Sequence, residues 1–410
     1  MIKRIVSVLL TLAILTACFA SCSGKKDNTD DTTELDGTYA ITLWVSEKEG
    51  VAEQFRSQIK EFEKAHPGIK INAQIEGVAE ADAGSKVVAD VASAPDIYCF
   101  AQDQLARLVQ AQALAAPGRS AATAIKEQND AGAVASASVG GTVYAYPLTS
   151  DNGYYMYYDK SIITDIDNLE SIIRDCEKNN VKFRFALENA WYTASFFFAT
   201  GCHSDWTVND KGEFIAVDDD FNSDKGIVAM KGMQKLTHST CYDSNADVFT
   251  DAGAIVTGIW NADAAQAYFG KNFAATDLPS FTVDGKSYHL SSFTGNKLMG
   301  VKPQSDAKRA AVLSLLAQYL SGEHCQMQRY ESFQWGPSNV KAQQSGEVQS
   351  NPSLAALAKQ NAYGKPQGQI HGAWWDIARV LGADAKNADS DAKLKKALEN
   401  YEATIKGLVK

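Results

Sequence analysis

Apolar positions along the first part of the chain fall into two alternating rhythms. Ala40-Ile41-Thr42-Leu43-Trp44-Val45 is a short apolar run of the kind a buried strand makes. Val51, Phe55, Ile59 and Phe62 then recur at helical spacing, with Glu53, Arg56, Lys60, Glu61 and Lys64 on the other face, and Pro67-Gly68 ends the helix. Residues 69–75 alternate with period two, as a strand does. A helix over 80–92, a strand over 95–100 and a helix over 105–114 follow. This β-α-β-α-β-α order predicts a parallel sheet covered on both faces. Gly140-Gly141 and the strand to Leu148 end the block. The pattern then restarts, with helices over 169–178, 190–200, 225–237 and 263–269 between strands over 182–187 and 254–260. The last third reads as helices over 307–320, 323–330, 353–361, 374–381 and 391–409.

Two such blocks in 410 residues exceed a single core and predict two α/β lobes. Open α/β sheets take ligands beyond the carboxyl ends of their strands. Two facing lobes therefore frame a cleft, and the residues just after each strand are the candidates to touch a ligand.

The first residues are of another kind. Lys3 and Arg4 precede an apolar stretch from Ile5 to Leu15, too short to span a bilayer. Leu15-Thr16-Ala17-Cys18 and Phe19-Ala20-Ser21-Cys22 both resemble the lipobox of bacterial lipoproteins, with either Cys18 or Cys22 as the acylated thiol. Residues 1–22 are expected to be a signal segment. Residues 23–37 are polar and charged, cannot bury enough surface to order themselves, and are expected to be a tether. Lipid attachment there would anchor the body to the outer face of a cytoplasmic membrane, as in a Gram-positive bacterium.

Charge and chemistry narrow the picture. Acidic side chains outnumber basic ones 49 to 39, a net charge of -10 that disfavours nucleic acid. Five cysteines follow the signal region (Cys99, Cys176, Cys202, Cys241, Cys325), widely spaced and with no CxxC, so they predict either one disulfide or several buried thiols. Cys202-His203 and His324-Cys325 lack the further ligands of a zinc site. Asp218-Asp219-Asp220-Phe221-Asn222 hints at a calcium loop, but Ser223 stands where that loop needs glycine. It reads instead as a solvated lead into a helix capped by Asn222 or Ser223. Ser57-Gln58-Ile59-Lys60 matches SxxK only on an amphipathic helix. No metal and no cofactor is expected.

Blocks in a fixed order carry a resemblance. Trp44 ends a strand before Phe62-Glu63-Lys64 and Pro67-Gly68-Ile69-Lys70-Ile71. Ala94-Pro95-Asp96-Ile97-Tyr98-Cys99-Phe100-Ala101-Gln102-Asp103-Gln104 is followed by Tyr146-Pro147-Leu148, Tyr157-Tyr158-Asp159-Lys160, Thr257-Gly258-Ile259-Trp260 and Ala373-Trp374-Trp375. From about Tyr39 to Val409 the chain resembles the maltose/maltodextrin-binding proteins among the bacterial extracellular solute-binding proteins, the substrate-binding subunits of ATP-driven carbohydrate importers. The resemblance implies a two-lobed periplasmic-binding-protein-like fold of type II. The first lobe would hold residues 38–150 and 298–335, the second 153–293 and 339–410, with crossings near 150–153, 293–298 and 334–339. It implies an oligosaccharide ligand, a permease pair with its ATPase as partners, and a monomer without enzymatic activity.

Residue by residue, the resemblance places the strand-end carboxylate on Asp103. The acidic residue after the Tyr-Pro pair is Asp151, one methylene shorter than the usual Glu. The aromatic after the Leu-x-x-Pro motif is Trp191, although Ala190 replaces the proline and Asn189 stands where an acid is common. Trp260 ends the Gly-x-Trp strand, Trp375 or Trp374 is the aromatic platform of the C-terminal helix, and Trp44 and Glu47 lie on the first strand-loop. These types suit a sugar: flat aromatic rings cover its C–H face, and carboxylates and amides take its hydroxyls. Two other classes share some of these features. A lipid-anchored glycoside hydrolase would need a carboxyl pair, for which Asp103 and Asp151 are the candidates. A surface adhesin would lack a hinged cleft. Within the binding class, the alternative ligand is a xylo- or fructo-oligosaccharide.

Overall fold

The computed structural model describes residues 35–409. The expected signal segment with Cys18 and Cys22, and the tether up to residue 34, lie outside that range. The first block begins with β1 (Gly37–Val45), α1 (Val51–Ala65), β2 (Ile69–Gly77), α2 (Glu80–Ala89), β3 (Ile97–Ala101), α3 (Leu105–Gln110) and β4 (Tyr146–Thr149). The second holds β5 (Tyr155–Asp159), α4 (Leu169–Lys178), β6 (Lys182–Arg184), α5 (Ala190–Ala199), β7 (Tyr242–Asp243), β8 (Ala252–Thr257) and β9 (Phe273–Thr276). The chain then returns through β10 (Lys297–Val301) and goes on to α6 (Pro352–Asn361), α7 (Trp374–Ala378), α8 (Val380–Asn387) and α9 (Asp391–Ile405).

Each lobe is built on a five-stranded sheet, in the orders β2-β1-β3-β10-β4 and β7-β6-β8-β5-β9. The predicted parallel sheet is in fact mixed. β10 runs antiparallel to β3 and β4, and β5 runs antiparallel to β8 and β9. The cause is topological. β1, β2 and β3, like β6, β7 and β8, are parallel and end at the cleft. A strand arriving from the other lobe starts at the cleft and must run the opposite way. Alternate residues of β5 serve different cores. Tyr155 and Tyr157 join the apolar cluster that runs from the first lobe on through Ile255, Ile259 and Phe269, whereas Met156 and Tyr154, just before β5, join that of Phe183, Phe196, Met230 and Trp374.

The crossings are pinned together by polar contacts. Asn152 N donates to Gly295 O (3.1 Å), Ser150 N to Gly336 O (3.0 Å), and the Asn296 amide to Thr149 O and Ser150 Oγ. The third crossing comes later than the expected residue 339. Asn339 caps a short helix, Val340–Gln343, and Gln343 Nε2 bonds Asp130 of the first lobe (3.0 Å). The chain reaches the second lobe only with α6, where Gln360 Oε1 accepts from Leu278 N at 2.7 Å.

Other differences are local. The strand expected to reach 260 stops at Thr257, and a turn of 3-10 helix, Ile259–Asn261, follows. The segment after 374 is two short helices. An unforeseen hairpin, Ser204–Val208 with Phe214–Asp219, leans on the first lobe; its turn residue Gly212 (φ +79°) comes so near that a Cβ would lie 2.2 Å from Ala106 O. Ser223, as expected, caps the following helix. Asp219, however, is a strand residue that accepts a hydrogen bond from Tyr401 at 2.6 Å.

Gly382 on α8 governs the loop that carries Asn189 and Trp191. A Cβ there would lie 1.6 Å from Leu187 O, an atom that already accepts from Thr193 Oγ1 at 2.8 Å. Gly382→Ala forces α8 away from this loop. We expect a loss of about 1–3 kcal/mol of stability, read by urea unfolding.

Candidate functional site

Between the lobes lies a cavity of about 720 Å³, the size range of pockets that hold a compact organic ligand. Strand ends build most of it. The end of β1 supplies Ser46, Glu47 and Lys48; the start of α2 supplies Glu80 and Asp82; the segment after β3 supplies Asp103 and Arg107. From the second lobe come Asn189 and Trp191 before and on α5, Trp260 and Asn261 after β8, and Trp375 and Asp376 on α7. Lys297 and Trp335, beside the crossings, form the back.

Four indole rings line the walls. Trp191 and Trp260 lie 5.7 Å apart at 36°, and Trp375 packs edge-on against Phe293. Trp335 leans on Phe333 and lies 5.0 Å from Lys297 Nζ, which is also 5.9 Å from the Trp260 ring. Lys297 pairs with Glu80 at 3.5 Å. Burial opposes its charge, but Glu80 and Asp151 outweigh this and hold the ammonium above the ordinary lysine value.

Asp103 is nearly buried. Burial pushes its carboxyl up to about 6, against the opposing pull of Arg107 and of Trp375 across the cleft. Among the described residues, Trp191 Nε1, Trp335 Nε1 and Arg107 Nε have no hydrogen-bond partner. Direct bridges draw the lobes together around the cavity. Lys48 Nζ reaches Trp260 O (3.3 Å) and Asp263 (3.2 Å), and Gln369 Oε1 accepts from Ala106 N (2.7 Å).

Of the residues expected from the sequence, Glu47, Asp103, Asn189, Trp191, Trp260 and Trp375 line this cavity. Asn189 also caps α5, its Oδ1 accepting from Trp191 N at 3.0 Å, which fixes the start of the helix that carries Trp191. Three others lie elsewhere. Trp44 projects from β1 and donates to Glu76 on β2 (3.1 Å). Trp374 is 1 % exposed and donates to Tyr401 Oη (2.9 Å), because successive residues of a helix face different ways and this one faces the core. Asp151 is buried on the first crossing, where Oδ2 accepts from Gly336 N at 2.7 Å. It lines a separate hollow behind the crossings. Sequence reasoning missed Glu80, Arg107, Lys297 and Trp335. The strand-end rule reaches Glu80 and Arg107, and Trp335 lies within the expected third crossing; no local signal marks Lys297.

Two α/β lobes closed over an indole-walled polar cavity define a two-lobed binding protein. The chain belongs to the bacterial extracellular solute-binding protein family, whose sequence profile matches residues 57–356. It is similar to a solved structure described as a complex with acarbose (26% identity, TM-score 0.78, 90% of this chain and 98% of that one). It also shares its fold with the maltodextrin-binding protein MalE1 of L. casei BL23, solved without ligand (22%, TM-score 0.76, 92% and 100%). A third relative in fold is the maltose/maltodextrin-binding domain MalE of Bdellovibrio bacteriovorus bound to maltotriose (19%, TM-score 0.72, 90% and 100%). No curated protein sequence matches the chain. The two-lobed fold and the family are those implied by the sequence.

A raised carboxyl has a definite linkage sign. The Asp103 proton is held more tightly in the folded protein than in the unfolded chain, so its ionisation begins to oppose folding as pH rises above about 4 and does so fully above about 6. Asp103→Asn is therefore expected to stabilise the empty protein at pH 7.5, by up to roughly 3 kcal/mol, and to change little at pH 4. Urea unfolding at the two pH values checks this.

Proposed function

We propose that this protein captures a maltose- or maltodextrin-type oligosaccharide in the interlobe cavity and delivers it to an ATP-driven importer. The observation that carries the reading is the cavity wall. Trp191, Trp260, Trp335 and Trp375 offer flat apolar faces, while Asp103, Glu80 and Asn189 stand ready for hydroxyls. A pyranose has this same division into an apolar face and a polar rim. The unpartnered indole and guanidinium donors on lining residues suit ligand oxygens. The relatives in fold, described with acarbose and with maltotriose, support the same ligand class.

Ligand bound between the lobes favours the closed form, which a permease pair with its ATPase then recognises. The family places such proteins outside the cell. Attachment through Cys18 or Cys22, with residues 23–37 as tether, would hold this one monomeric at the outer face of the membrane. Among the described residues no helix is long and apolar enough to cross a membrane. We read the protein as a binder and not a hydrolase: Asp103 lines the cavity, but Asp151, its candidate partner, lines the separate hollow.

The test is a titration of the secreted protein with maltose, maltotriose, longer maltodextrins, xylobiose and sucrose, read by tryptophan fluorescence and calorimetry. Saturable binding of α-glucans is expected. Trp375→Ala and Asp103→Ala should each weaken it tenfold or more, an amount in line with losing one stacking face or one charge-assisted hydrogen bond. Trp44→Ala should leave affinity within about twofold, since its ring lies outside the cavity. Binding of xylobiose or sucrose alone would keep the transport role and replace the ligand. No binding, or release of smaller sugars, would overturn the reading.

A further inference from the structure

Of the five cysteines in the described residues, all are buried and carry free thiols. They are not equivalent. Cys99 and Cys325, in the first lobe, face Arg329. Cys202 lies against Thr200 and Ser223 hydroxyls at 3.5 and 3.9 Å. Cys176 and Cys241 lie on two segments of the second lobe that pack together. Cys176 is in the last turn of α4, and Cys241 immediately precedes β7.

Their neighbours tie the two segments together on either side. Thr240 donates to Glu177 Oε1 through both N and Oγ1, each at 2.9 Å. Cys241 Sγ contacts Ile173 O at 3.8 Å, one turn before Cys176, and Phe183 N donates to Cys241 O at 2.9 Å. Cys176 Sγ points inward, 3.3 Å from where a Cβ on Gly253 would be.

We propose that Cys176 and Cys241 are joined as a disulfide in the exported protein. The family is extracellular, where disulfides persist, and packing seats Cys241 Sγ against α4 one turn before Cys176, with the neighbouring Thr240 and Glu177 hydrogen-bonded. The two thiols perturb one another as neighbouring groups do: that of Cys241 is pulled below its ordinary range and that of Cys176 is pushed up.

The reaction needs an oxidant, and the class that fits is a protein bearing a reactive disulfide. One cysteine thiolate attacks that disulfide, forming a mixed disulfide and releasing one donor thiolate. The second cysteine thiolate attacks the mixed bond and releases the other. Two protons and two electrons leave the cysteine pair, and the donor ends as a dithiol. Because the folded side chains are 0% and 2% exposed, the exchange belongs to folding after export, before α4 seats on the sheet.

Full-length protein recovered from the cell surface, denatured in iodoacetamide without reductant and digested, should yield one peptide linking Cys176 to Cys241, lighter by two hydrogens than the reduced pair. Cys99, Cys202 and Cys325 should be alkylated. Reduction should lower the thermal midpoint by roughly 5 °C, and Cys176→Ala/Cys241→Ala should show no such response. Alkylation of both cysteines in the exported protein, or a link to any other cysteine, would overturn the assignment. The pair lies at the starts of β6 and β7, the ends away from the cleft, so sugar affinity should be unchanged by reduction. Loss of sugar binding with the link intact would strike the functional reading alone.

Discussion

The structure depends on the segments that pass between the lobes and on the polar groups that hold them side by side. A chain that leaves one sheet for another gives up its ladder partners, and its buried amides and carbonyls must find others. Here they find one another. Ser150 and Asn152 bond Gly336 and Gly295, Asn296 spans Thr149 and Ser150, and Asp151 takes the Gly336 amide. The back of the cavity rests on this bundle, because Lys297 and Trp335 lie directly beside it. The crossings and the cavity wall are thus one piece of polar packing.

This accounts for the different fate of the two aspartates. Asp103 follows β3 at the cleft and lines the cavity together with Arg107 and, from the other lobe, Trp375. Asp151 is on the crossing itself and is consumed in joining segments. Both are buried, and in both burial disfavours the charge. One charge is kept where a ligand can meet it, the other where a backbone amide does.

Much of this was legible in the sequence. Periodicity located most helices and the central strands, and the resemblance to the maltose/maltodextrin-binding proteins pointed to Glu47, Asp103, Asn189, Trp191 and Trp260. It did not separate Trp374 from Trp375, because only the fold decides which neighbour on a short helix meets the core. It did not foresee β10 between β3 and β4, since that pairing joins residues far apart in sequence. Nor did it foresee Lys297, whose place in the site exists only once that pairing is made. The hairpin at Ser204–Asp219 escaped because its strands are short, half-exposed and broken by a register shift between Phe214 and Ala216.

The inserted strand also dictates an order of assembly. Every strand of the second sheet lies between residues 155 and 276, so that sheet has all its strands before the chain turns back. The first sheet begins earlier but has a gap at its centre until residues 297–301 arrive to join β3 to β4. For a chain threaded out of the cell from its N-terminus, the sheet that emerges first is the one that closes last. Until then its edges at β3 and β4 stand open, the condition in which strands pair wrongly or aggregate.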